Sequence, residues 1–144
     1  MKNGDMAGDK TFTMIKPDAV VNHHSGAIMD LILREGFKIK ALKMAQLSVE
    51  RAKEFYAIHE DKPFFDSLIT YMSSGPIFSM ILEKENCVEA FRDFIGATNP
   101  ADAAEGTIRS LYGTSIENNA VHGSDSDENA IIESDFHFTP EERY

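Results

Sequence analysis

Seven residues near the C-terminus, Asn119-Ala120-Val121-His122-Gly123-Ser124-Asp125, leave this chain little local choice. Small and apolar residues run up to a histidine, a glycine follows, and an acidic run of Asp125, Asp127 and Glu128 comes next. That order predicts a short strand ending at His122, a tight turn at Gly123 and a helix starting near Ser124 or Asp125. Serine and aspartate are good N-caps, and carboxylates in a first turn complement the positive end of the helix dipole. The chain therefore carries an imidazole to the lip of a strand beside a helix N-terminus, which suits a histidine that must meet an anion. The plainer reading of the same residues is a histidine satisfied by its neighbours at a strand end.

Length and charge narrow the possibilities. A chain of 144 residues with 42% hydrophobic side chains is expected to form one domain over 1–144, with its own core and a flexible lead at Met1–Asp9. The one cysteine, Cys87, excludes an intrachain disulfide and reads as a small helix residue. No apolar run approaches the ~20 residues of a membrane span. The stretch Met1–Lys10 is polar and lacks a signal-peptide core, so a cytoplasmic protein away from membranes is expected. A net charge of −10 argues against general nucleic-acid binding, which needs a basic surface. An acidic chain that takes a polyanion must gather its cations locally, so Lys16, Arg92 and Arg109 matter more than the total.

Patterning places these residues on elements. Thr11–Lys16 is β-prone and is stopped by Pro17, leaving Lys16 where a loop meets the sheet. Ile28, Leu31, Ile32 and Glu35 follow helical spacing with Gly36 after them, and Asn22 or Ser25 is expected to cap the start. His23 and His24 read as exposed. Residues 37–47 alternate as a strand until the phase flips at Leu42 and Met44, marking a bulge or a face shown to a partner subunit. Ser48 caps a helix whose stripe is Val49, Ala52, Phe55, Tyr56 and His59. Helix then continues from Phe64 to Met72, and Ile77–Leu82 is a mostly apolar strand. Asn86 with Glu89 looks like a capping box for a helix bearing Val88, Phe91, Phe94 and Ile95, which Gly96 ends. A loop then leads to the final strand and helix.

Seven separated stretches, taken together, resemble the nucleoside diphosphate kinase family. They are Ile15-Lys16-Pro17-Asp18-Ala19, Tyr56-Ala57-Ile58-His59, Pro63-Phe64-Phe65, Arg92, Thr98-Asn99-Pro100, Gly106-Thr107-Ile108-Arg109 and the histidine stretch. They span most of the chain between Lys10 and Asp135 in matching order. The resemblance implies a ferredoxin-like α/β sandwich, a four-stranded antiparallel sheet covered by helices. It implies transfer of the γ-phosphoryl group from a nucleoside triphosphate to a diphosphate (ATP, GTP and GDP among them) by a ping-pong route through phosphohistidine on His122. Phe64 and Ile116 would hold the base, Lys16 and Asn119 the ribose, and His59, Arg92, Thr98 and Arg109 the phosphates, with Lys16 also reaching phosphate. Tyr56 would donate to the moving group, while Ser124 and Glu133 would orient His122. Mg²⁺ would be held through the nucleotide's phosphates rather than directly by protein ligands. Homodimers built into a hexamer or tetramer are expected. The alternatives are a catalytically silent nucleotide-binding scaffold and a phosphohistidine relay protein. Ala27, Glu105 and Ser110-Leu111-Tyr112-Gly113 depart from the family's usual look, which leaves the 100–113 loop open in conformation.

Overall fold

The computed structural model describes residues 8–144. The flexible lead expected at the N-terminus lies outside the described residues except for Gly8 and Asp9. Those are tied down, their carbonyls accepting from Cys87 N at 2.6 Å and Lys84 N at 2.9 Å. Strands β1 (Lys10–Ile15), β2 (Lys38–Ala45), β3 (Ile77–Glu83) and β4 (Val121–Gly123) form one sheet in the order β2-β3-β1-β4. Every neighbouring pair is antiparallel. This is the ferredoxin-like arrangement that the resemblance implies.

The central strands are buried on both faces, so that even Thr11 and Thr13, the polar alternates of β1, are fully buried. Phe12 and Met14 point to one face and Ile15 to the other. The Ile15 face is covered by α1 (Pro17–Val21), α2 (Ser25–Arg34), α5 (Cys87–Ile95) and α6 (Ile108–Tyr112), through Ala19, Ile28, Ile32, Phe91, Ile95 and Ile108. The Phe12 face is covered by α3 (Val49–Phe55) and α4 (Phe65–Met72), through Ala52, Leu68, Ile69 and Met72. Helix α7 (Asp127–His137) packs along β1, and Phe138 just beyond it joins the same core.

The phase flip in β2 is a bulge. Ile39 pairs with Leu82 and Ala41 with Ile81, so Lys40 is the extra residue and Ala41 swings to the Phe12 face. Ser48 caps α3 as its sequence predicts, its Oγ accepting from Arg51 N at 3.1 Å. Other boundaries differ for physical reasons. Pro17 does not open a loop; it starts α1 at the first helical position, where a missing N–H is harmless. Neither Asn22 nor Ser25 caps α2, since His24 occupies the N-cap without a side-chain bond. His23 is exposed, but His24 is half-buried against the Tyr112 ring at 4.6 Å. Asn86 adopts a left-handed backbone (φ 51°) and makes no cap bond, so the expected capping box does not form. Helix α3 stops at Phe55, and a 3₁₀ turn, Ala57–His59, carries the rest of its stripe. Helix α6 lies in what reads as loop, capped by Thr107, and includes the atypical segment up to Tyr112. The last helix begins at Asp127 under a Ser126 cap, later than expected, because Gly123 stays in the sheet opposite Thr13.

Gly96 shows how tightly α5 is joined to α6. Its backbone (φ 92°, ψ 179°) is a region that essentially only glycine occupies. An added Cβ would lie 2.5 Å from Thr107 Oγ1. Gly96→Ala is expected to destabilise the fold by about 2 kcal/mol or more, read as a lowered midpoint in urea at unchanged slope.

Candidate active site

The backbone before His122 is reversed on itself. Ala120 is fully buried at φ 76°, and Val121 N donates to Asn119 O at 2.9 Å across it. That i to i+2 bond with positive φ is the rarer, strained form of the γ-turn, of a kind costing about 1–3 kcal/mol. The neighbours hold it. Lys16 N donates to Ala120 O at 2.8 Å, and Ala120 N donates to Asp18 Oδ2 at 3.1 Å. Asp18 Oδ1 accepts from the Tyr71 hydroxyl, so α1 and α4 both brace the turn.

Beyond the turn, β4 presents His122, with Thr13 Oγ1 donating to the His122 carbonyl at 2.6 Å. The imidazole is only partly exposed. Its Nε2 donates to Glu133 Oε1 at 2.9 Å, and Ser124 Oγ donates to the same oxygen at 2.6 Å. Among the described residues, Nδ1 has no hydrogen-bond partner. Phe12 and Phe55 flank the ring, with centroids at 6.0 and 5.6 Å. The sequence-predicted trio of His122, Ser124 and Glu133 is therefore assembled in contact.

The cations gather around the same strand. Arg109 reaches Val121 O at 2.8 Å and Gly96 O at 3.0 Å, and Arg92 approaches Gly123 O at 3.5 Å. The two guanidiniums thus bracket His122 along the backbone. Lys16 Nζ donates to Asn119 Oδ1 at 2.9 Å, and Asn119 Nδ2 donates to Thr98 O at 2.9 Å. Thr98 enters through its carbonyl, and its side chain is exposed. Burial, and then the Arg92 charge, lowers the Arg109 pKa to about 10. Burial, then Arg109, pulls Lys16 down to about 8, against partial support from Asp18 and Glu117. Arg109 Nε and the Tyr56 hydroxyl are buried and have no hydrogen-bond partner among the described residues. Burial and then Glu133 push the Tyr56 phenol well above its ordinary range, so it remains an O–H donor at neutral pH. Unpaired buried donors beside desolvated cations are what an incoming anion would satisfy.

A row of rings leads away from this cluster: Tyr56 to His59 at 6.5 Å and His59 to Phe64 at 5.6 Å. Phe64 is 48% exposed and Ile116 60% exposed. They stand on separate segments, linked where Ser67 Oγ donates to the Glu117 carboxylate at 2.9 Å. A cleft of about 500 Å³ lined by Arg92, Thr98 and Thr107 adjoins the arginine side. The 230 Å³ cavity between α7 and Tyr144 contains none of these residues. Sequence reasoning missed Asp18, Phe12 and Phe55. Asp18 stood beside Pro17 in a stretch already singled out, but its carboxylate acts on a backbone amide a hundred residues away.

The Lys16 ammonium opposes folding. Its folded pKa lies below the ordinary value of 10.5, so the unfolded chain takes up the proton first as pH falls. That contribution to stability is complete above 10.5 and is lost as pH falls through about 8. At pH 7, Lys16→Met is expected to raise stability by about 1–3 kcal/mol, after allowing for the lost bond to Asn119, while weakening anion binding. Denaturation and nucleotide titration of the same variant check both signs.

Known proteins resemble this chain in sequence and in fold. The family model described as nucleoside diphosphate kinase matches residues 9–143. A nucleoside diphosphate kinase of Flavobacterium psychrophilum is 59% identical over 139 residues, covering 96% of this chain and all (100%) of that protein. The enzyme of Prosthecochloris aestuarii is 52% identical over 134 residues, covering 93% of this chain and 95% of its own. Among solved structures, the Aquifex aeolicus nucleoside diphosphate kinase superposes with a TM-score of 0.93 at 41% identity, covering 94% of this chain and 99% of that one. The halophilic enzyme of Halobacterium salinarum, solved in complex with CDP, gives 0.89 at 38% identity, covering 95% and 91%. With the histidine, its carboxylate and its bracketing cations in place, the chain belongs to the nucleoside diphosphate kinase family.

Proposed function

We propose that the chain moves the γ-phosphoryl group of a nucleoside triphosphate to a nucleoside diphosphate through His122 Nδ1. One observation carries the choice of atom. Nε2 is engaged with Glu133 at 2.9 Å, so the proton resides on Nε2 and the lone pair on Nδ1. In the first half-reaction Nδ1 attacks phosphorus in line. The N–P bond forms as the bond to the β-bridging oxygen breaks, and the diphosphate leaves with that oxygen's electron pair. The Nε2 proton stays on the Glu133 bond, which stabilises the cationic ring, and Ser124 fixes the same carboxylate oxygen. A second diphosphate then reverses the sequence.

The remaining site residues support binding. Arg92 and Arg109 suit phosphate oxygens on either side of His122, joined by Thr98 from the cleft it shares with Arg92 and by His59 next to Tyr56. Tyr56 keeps its hydrogen and can donate to the transferring group. Lys16 and Asn119, already hydrogen-bonded to each other, suit the ribose hydroxyls, and Lys16 the phosphates. Phe64 and Ile116 offer exposed apolar surface for a base of any sequence. Mg²⁺ carried on the nucleotide would supply charge neutralisation at the phosphates. The residues fit an ion held that way, because Glu133 is committed to His122 and Ser124, and Asp18 to Tyr71 and Ala120.

Assembly from homodimers, as hexamer or tetramer, fits the outer position of β2 in the sheet, where Leu42 and Met44 are 47% and 56% exposed. Among the described residues no helix is long and apolar enough to cross a membrane. A cytoplasmic place of action belongs to the same proposal.

Incubation with γ-labelled ATP and Mg²⁺, removal of nucleotide and then addition of unlabelled GDP is expected to label the protein and then GTP. His122→Ala should take no label yet keep nucleotide affinity. Full turnover by that variant excludes His122 as the nucleophile. Binding without label would favour the silent scaffold, and label retained in the presence of GDP the relay protein. Phe64→Ala is expected to weaken nucleotide binding by about 1–3 kcal/mol, measured by calorimetry, and unchanged affinity removes Phe64 from the base site.

A further inference from the structure

A second histidine lies behind the first, and the transfer scheme assigns it no task. His137 sits in the last turn of α7, four residues after Glu133, so both side chains leave the helix on one face. Glu133 takes the edge of His122 at Nε2. His137 instead reaches the rings that flank His122. It stacks on Phe12 at 4.7 Å with 17° between planes and meets Phe55 at 5.1 Å and 67°. Phe12 and Phe55 each also contact His122, so both phenylalanines are held between the two imidazoles. Arg51 keeps the outer side closed, stacking on Phe136 at 3.8 Å and donating to its carbonyl at 2.8 Å.

Polar support for His137 is thin. Its Nδ1 is 3.4 Å from Ser79 Oγ, and its buried Nε2 has no partner among the described residues. The charged and titratable groups that face it are Arg51 from α3, Lys43 from β2 (paired with Glu142) and His122 from β4. Burial first, and then these groups, holds its pKa down at about 3. The ring is neutral while the site operates, and an apolar ring of similar size would fill the same place.

We propose that His137 is a positioning residue for His122: as a neutral ring it clamps Phe12 and Phe55 against the imidazole and, with Glu133, sets its tilt. The inference rests on the transfer reading above. Tilt matters because Nδ1 must lie in line with the leaving oxygen, and small misplacements of a reacting atom slow such steps severely. Protonation of His137 would place a cation among Arg51, Lys43 and His122 and open the ring block. The linkage has a definite sign. The folded pKa is depressed, so the stability His137 contributes is complete above about 6.5 and is lost as pH falls toward about 3, by up to about tenfold in the folded-to-unfolded ratio per pH unit.

Three chains decide it: wild type, His137→Ala and His137→Phe. At pH 8, His137→Ala is expected to lower kcat by about tenfold or more with KM within about twofold, because the nucleotide-binding cations are untouched. His137→Phe should restore kcat to within about threefold of wild type. Between pH 7 and pH 5 the thermal midpoint of His137→Phe should fall less than that of wild type. Wild-type kcat in His137→Ala, no rescue by phenylalanine, or parallel loss of the two midpoints would each overturn the proposal. If His137→Ala does not fold, the kcat and midpoint comparison of His137→Phe with wild type still decides. A wild-type chain that takes no label at any pH overturns the transfer reading instead, and the melting comparison is independent of that result.

Discussion

The reversed backbone at Ala120 is the point on which the site depends. A buried alanine at φ 76° persists only because Lys16 N, Asp18 and the Asn119–Val121 bond over-determine it. The same contacts join the end of β1 and the start of α1 to the start of β4. They therefore place Lys16 and His122 in one frame, although the chain separates them widely. Pro17 contributes by starting α1 without a loop, which brings Asp18 within reach of the Ala120 amide.

Charge is arranged against the global trend. The chain carries a net charge of −10, yet buried Lys16 and Arg109, with Arg92 at the rim, crowd one short strand. Desolvation, and then repulsion by a neighbouring guanidinium, lowers the pKa values of Lys16 and Arg109, a strain on the folded state that a polyanion would relieve. Around His122 the logic inverts: one carboxylate, Glu133, is aimed at a ring nitrogen and a serine hydroxyl, and aromatic faces enclose the rest. The cationic and aromatic halves of the site come from opposite sides of the sheet's core.

Legibility followed the range of the forces involved. The β-prone run of β1, the mostly apolar run of β3, the phase flip in β2, the apolar stripe of α5 and the Ser48 cap are local signals, and each produced its element. Helix α6 has only five residues, too few for periodicity to register, and packing of Ile108 holds it. The Asn86 box failed because its backbone turned left-handed to enter α5. The start of α7 was misjudged because Ser124, Asp125 and Ser126 are all competent caps, and pairing of Gly123 with Thr13 selects among them.

The sequence by itself determined the chemistry available: a histidine with an anion-friendly context, three well-spaced cations, an aromatic at Phe64, and an order of motifs that names the family. Tertiary structure alone decided how those groups act. Which nitrogen of His122 is free, why Lys16 titrates near 8, and why Tyr56 keeps its proton all depend on contacts between distant parts of the chain. A linear pattern records what each side chain can do. It does not record which neighbours desolvate it, and it is desolvation and hydrogen bonding at close range that set protonation and direction.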